Sequence, residues 1–93
     1  MARYRKSDAL EMRLAEEVET GGRRFSADLI AKKATGVPGF RMTLAFLELD
    51  GPGSVFVDLD PAPGREEARR RAEELQAAPA RLAAILAERV GGA

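Results

Sequence analysis

The sequence predicts an α+β fold. The expected order is α-β-β-β-α-α: a small three-stranded antiparallel sheet packed against helices, with the last helical segment kinked or split at Pro79. Three observations carry this. Two alternating apolar runs flank a Gly/Pro turn between Phe40 and Asp60. A Leu/Ala stripe at spacings of three and four runs from Ala68 to Val90. The chain has 93 residues, 45% hydrophobic and 32% charged, which fits one compact domain over 1–93.

Residues 8–20 read as a helix. Asp8 suits the N-cap, and Glu11 sits three residues on, as in a capping box. Leu10, Leu14 and Val18 recur every four residues, and Gly21-Gly22 is a usual helix end. Residues 23–33 fit two patterns. Phe25, Ala27, Leu29 and Ala31 alternate as in a strand, whereas Ala27, Ile30, Ala31 and Ala34 fit a helix that Ser26 caps. Strand is the expectation, because a two-stranded hairpin alone is marginal in water and a third strand completes a sheet. The run Thr35-Gly36-Val37-Pro38-Gly39 is the turn that follows.

The next hairpin is the clearest element. Phe40, Met42, Leu44 and Phe46 alternate, and so do Val55, Val57 and Leu59. A two-residue turn at Gly51-Pro52 sets Glu48 opposite Val55, Phe46 opposite Val57 and Leu44 opposite Leu59. Both apolar sets then share one face, which a slip of one residue would divide. The other face carries a second apolar cluster, Ala45, Leu47, Leu49 and Phe56. A sheet with one wetted face is expected to be more polar there.

Asp60-Pro61-Ala62-Pro63-Gly64 ends the last strand. A helical segment follows from about Arg65 to Val90, with Glu66 and Glu67 at its positive end. Ala68, Ala72, Leu75, Pro79, Leu82, Leu86 and Val90 form its stripe. Pro79 has no backbone N–H to donate, so the segment must break near Ala78.

Composition closes several kinds of chemistry. The chain has no Cys and no His, which excludes disulfides, zinc-finger sites, Ser-His-Asp and Cys-His catalysis and histidine switching. The longest apolar run, Leu82 to Ala87, is far short of the roughly 20 residues that cross a bilayer. The basic start, Met1 to Lys6, leads into no hydrophobic segment, so a cytoplasmic location is expected. Arg outnumbers Lys twelve to three, the bias of a GC-rich bacterial genome. Fifteen basic residues balance fifteen acidic ones, but residues 1–47 carry net +3 and residues 48–60 net −4.

The sequence offers two candidate chemical sites. Asp58 and Asp60 lie two apart on a strand, so both carboxylates point one way and suit a Mg²⁺ ion, with Glu48 a third candidate. The stretch Val55-Phe56-Val57-Asp58-Leu59-Asp60-Pro61 resembles the first metal motif of primase-like polymerase domains in bacterial DNA-repair ligases. That family also carries a downstream glycine-and-histidine motif, and this chain has no His. Basic residues form the second candidate: Arg3, Arg5, Lys6, Arg23, Arg24, Lys32 and Lys33, with Arg69-Arg70-Arg71 further on. The α-β-β-β-α order resembles the double-stranded-RNA-binding domain. Its second helix opens on a Lys-rich run, where this chain has Glu66 and Glu67. The three arginines are interleaved with Glu66, Glu67, Glu73 and Glu74, as on an ion-paired helix. Neither family's function is carried over. No Gly-rich phosphate loop occurs, and Ser7, Ser26, Ser54, Thr20, Thr35, Thr43 and Tyr4 have no evident base.

The expectation is therefore a small non-catalytic interaction or regulatory module without a cofactor. It acts as a homodimer through Ala45, Leu47, Leu49, Phe56, Leu82 and Leu86. Nucleic-acid regulation through the basic front and a Mg²⁺ enzyme at Asp58 and Asp60 are the alternatives. A covering of the second face by the C-terminal helix of the same chain would compete with the homodimer.

Overall fold

In the computed structural model, residues 9–33, 35–36 and 38–90 are described. The strands are β1 (Ala9–Thr20), β2 (Arg23–Lys33), β3 (Phe40–Glu48) and β4 (Ser54–Ala62), and the helices are α1 (Arg65–Gln76) and α2 (Pro79–Val90). The fold is α+β: an antiparallel sheet in the order β1-β2-β3-β4 with two helices. Residues 23–33 are a strand, as expected.

The first element corrects the sequence reading. Residues 9–20 form a strand, not a helix, so the sheet has four strands rather than three. The pairing of β1 with β2 carries two irregularities. They fall between Arg13 and Ala15 and between Ala15 and Val18. Each bulge adds a residue to β1 and resets the in–out alternation. Leu10, Leu14 and Val18 are all buried. A spacing of four is twice the strand period and close to the helical one, so it fits either backbone. The bulges leave Ala15 half-buried and Glu16 exposed, where strict alternation would turn Glu16 inward. Gly21 and Gly22, both at positive φ, form the tight turn into β2 rather than a helix end. Asp8, the expected cap, lies outside the described residues.

The β3–β4 pairing also differs from expectation. Phe46 opposes Val55, Leu44 opposes Val57 and Met42 opposes Leu59, a shift of two residues. The Glu48 amide donates to the Gly53 carbonyl at 2.8 Å, so the loop has four residues, Leu49 to Pro52. Two-residue hairpin turns favour positive φ at the central residues, and the ring of Pro52 forbids it. A shift of two leaves every side chain on its expected face.

The inner face of the sheet and the helices make the core. Phe25, Leu29, Met42, Leu44, Phe46, Leu82 and Leu86 are fully buried, with Ala68, Ala72 and Leu75 beside them. The helical segment divides at Pro79, as predicted. Pro79 opens α2, where its missing N–H is no loss. The Ala78 amide donates to Leu75, and Leu82 donates back to Ala78. Pro79 itself is exposed, so it departs from the buried stripe. Side chains of α1 lock both edge strands: Arg65 donates to the Ala9 carbonyl and Gln76 to Arg13, while Arg71 donates to Asp60 and Pro61. No helix among the described residues is long and apolar enough to cross a membrane.

Two glycines in the β2–β3 connection separate strain from clash. Gly36 has φ +77 and open space around it, whereas a Cβ on Gly39, at φ +88, would sit 2.3 Å from the Ala62 carbonyl oxygen. Gly36→Ala is expected to cost about 1–2 kcal/mol for the left-handed backbone alone. Gly39→Ala adds the contact with β4 and should cost roughly 3 kcal/mol or more. Urea denaturation midpoints of the two variants would check the ranking, and equal losses would contradict it.

Candidate functional site

The candidate site is the face of the sheet turned away from the helices. Alternation fixes its residues. Three rungs cross it: Ser26–Leu47–Ser54, Asp28–Ala45–Phe56 and Ile30–Thr43–Asp58. Lys32 and Arg41 begin a fourth. Leu49 extends the first end, its amide donating to the Arg24 carbonyl at 2.8 Å.

Leu47, Leu49 and Phe56 are 46%, 45% and 58% exposed, the large apolar side chains left to solvent among the described residues. They surround a floor of small residues, because Ala45 and Ser26 are buried beneath their neighbours. Of the six residues expected at an interface, Leu47, Leu49 and Phe56 therefore lie together and open. Ala45 is adjacent but covered. Leu82 and Leu86 are removed from the candidate surface, since both are fully buried in the core of the same chain. The expected competition from the C-terminal helix is also resolved: α2 lies on the inner face and leaves the outer one open.

Charges border this patch in closed pairs. Arg24 donates to both oxygens of Asp50, at 2.9 and 2.7 Å, and to Glu17 at 3.2 Å. Hydrogen bonding from Arg24 holds the Asp50 carboxyl below its ordinary value. Arg13 donates to Asp28 at 2.7 Å and to Glu16 at 2.9 Å, and the Asp28 hydrogen bond raises the Arg13 guanidinium. Arg13 was not legible as a member of this face while its segment read as a helix.

The other candidate residues are not gathered. Arg3, Arg5 and Lys6 lie outside the described residues. Arg23 and Arg24 stand at one end of β2 and Lys32 and Lys33 at the other, about 30 Å apart at strand rise. Arg23 grips Glu48 with two bonds, at 3.0 and 2.9 Å, while stacking over the Phe25 ring. That pairing lowers the Glu48 carboxyl. Asp58 accepts from the Thr43 hydroxyl at 3.4 Å. No three acidic groups gather as a metal site among the described residues.

A second concavity, about 390 Å³, lies between β4 and the helices. Leu59, Leu75 and Ile85 give it an apolar lining, and Asp60 and Arg81 stand on its border. Its remaining charges are spent on one another. Arg70 bonds Glu67 and Glu74, and Arg71 bonds Glu67. Comparison with known families, with characterised proteins and with solved structures finds no match to this chain.

The Glu67 network gives an acid-dependent contribution to stability. Hydrogen bonds from Arg70, and then Arg71, lower the Glu67 carboxyl from 4.5 to about 2. A depressed carboxyl stabilises the fold fully above its unfolded value and loses that effect as pH falls through the folded one. Melting temperature should therefore decline between about pH 4.5 and 2. Glu67→Gln is expected to flatten that part of the curve and lower the neutral plateau. An unchanged acid limb in the variant would contradict the assignment.

Proposed function

We propose that this chain is a small non-catalytic association module whose working surface is the open face of the sheet. One observation carries the reading: Leu47, Leu49 and Phe56 form a contiguous exposed cluster on the sheet face opposite the one the two helices cover. Full burial of such a side chain is worth about 1.5–3 kcal/mol, so three that are half exposed retain a substantial driving force for contact. Exposed apolar clusters rimmed by polar groups mark docking surfaces. Here the rim charges are already paired within the chain, so a partner can desolvate the patch without stranding them.

The sheet edges support the same choice. β1 is bulged twice, and β4 carries Pro61 next to its last residue, after Asp58 and Asp60. Bulges, proline and charge all blunt edge-to-edge pairing. Association through the face is left, with self-association its first form. The nucleic-acid alternative has less support, because Arg23 and Arg24 are engaged by acids and stand far from Lys33.

Sedimentation equilibrium tests this reading. The wild-type chain is expected to associate as concentration rises. Phe56→Asp, at an exposed position, should remain monomeric, with folding stability changed by only about 0.5 kcal/mol. Equal association of the wild type and the variant would contradict a role for this face.

A further inference from the structure

We infer that the occupant of the open face is a second copy of this chain, stacked face to face about a two-fold axis that runs along the sheet between β3 and β4. This rests on the reading of that face as an association surface and goes on to name its partner and register.

The rungs carry the argument. Rotation about an axis parallel to the strands keeps each residue at its own height and lays β3 over the partner's β4. At successive heights, β3 and β4 present Leu47 with Ser54, Ala45 with Phe56, and Thr43 with Asp58. The first rung is large beside small, and the second is small beside large. Under this axis Leu47 stands over the partner's Ser54, and Phe56 over the partner's Ala45. The two Phe56 rings flank the axis side by side, an offset arrangement that aromatic pairs favour. On the third rung the Thr43 hydroxyl meets the partner's Asp58, an acceptor it already uses within its own chain.

Charge continues the match. Arg41 is exposed and has no ion pair among the described residues. It lies one rung beyond Thr43, toward the end of β4 that carries Asp58 and Asp60. The same axis brings Arg41 of each copy to the acidic strand end of the other. Each dimer thus contains two equivalent charge contacts, as a closed two-fold interface requires. An axis across the strands, centred on Phe56, instead lays the Leu47 rung on the partner's Thr43–Asp58 rung. That sets Phe56 over the partner's Phe56 and Ala45 over the partner's Ala45, so large meets large and small meets small and the two faces no longer interlock. Aligned sheets pack about 10 Å apart with strands within about 30°, compatible with the parallel arrangement. One small sheet face lies toward the low end of interface sizes, so the dimer is weak and concentration-dependent.

Charge reversal tests the register. Arg41→Asp alone and the double variant Asp58→Arg/Asp60→Arg should each weaken the dimer by about tenfold or more in Kd, since like charges then face each other twice. An equimolar mixture of the two should restore wild-type affinity as a heterodimer. Melting curves would confirm that both variants fold. Restoration on mixing supports the inference. If Phe56→Asp abolishes the dimer but mixing restores nothing, this two-fold register is overturned while the face retains its proposed role. A wild-type chain that stays monomeric at every concentration overturns the second copy as occupant, and leaves the face to a different protein.

Discussion

The structure depends on one imbalance of cover: a sheet with apolar side chains on both faces has a single layer of helix. α1 and α2 cover the inner face and leave only its margin, Met12, Val55 and Leu59, partly exposed among the described residues. Met42, Leu44 and Phe46 share one core with Leu82 and Leu86 and have no contact with solvent. No second layer exists among the described residues for Leu47, Leu49 and Phe56. The break at Pro79 makes this distribution possible. It lets two short helices share one face, where a single straight helix would overrun so small a sheet.

Electrostatics follows the same division. On the open face, Arg13 and Arg24 each engage two carboxylates, so the apolar patch is bordered by pairs that need nothing from outside. On the helical side, Arg70 and Arg71 converge on Glu67. Exposed pairs of this kind add little to stability. Their effect here is to set acid against base along both faces of the described residues.

Much of this was legible in the sequence, for identifiable reasons. The β3–β4 hairpin has unbroken alternation, and parity survived even though the turn is longer than expected. The split helix was announced by Pro79 and by a stripe at regular spacing. The open cluster of Leu47, Leu49 and Phe56 followed from alternation alone. β1 was not legible, because Leu10, Leu14 and Val18 are spaced by four, which fits a strand face as well as a helix face, and its two bulges break the alternation that would have decided for a strand. The loss of β1 hid Arg13 as well, and left the sheet one strand short. Leu82 and Leu86 were misplaced for a different reason. An apolar stripe shows that a helix face is buried, but only the packing shows what buries it.

The central claim is that these two apolar faces differ in cover. Solvent paramagnetic relaxation of methyl resonances measures this directly, residue by residue, in a dilute sample. The account predicts strong broadening at Leu47 and Leu49, and none at Leu29, Leu44, Leu82 and Leu86. Protection of Leu47 and Leu49 under dilute conditions, or broadening at Leu82 and Leu86, would contradict it.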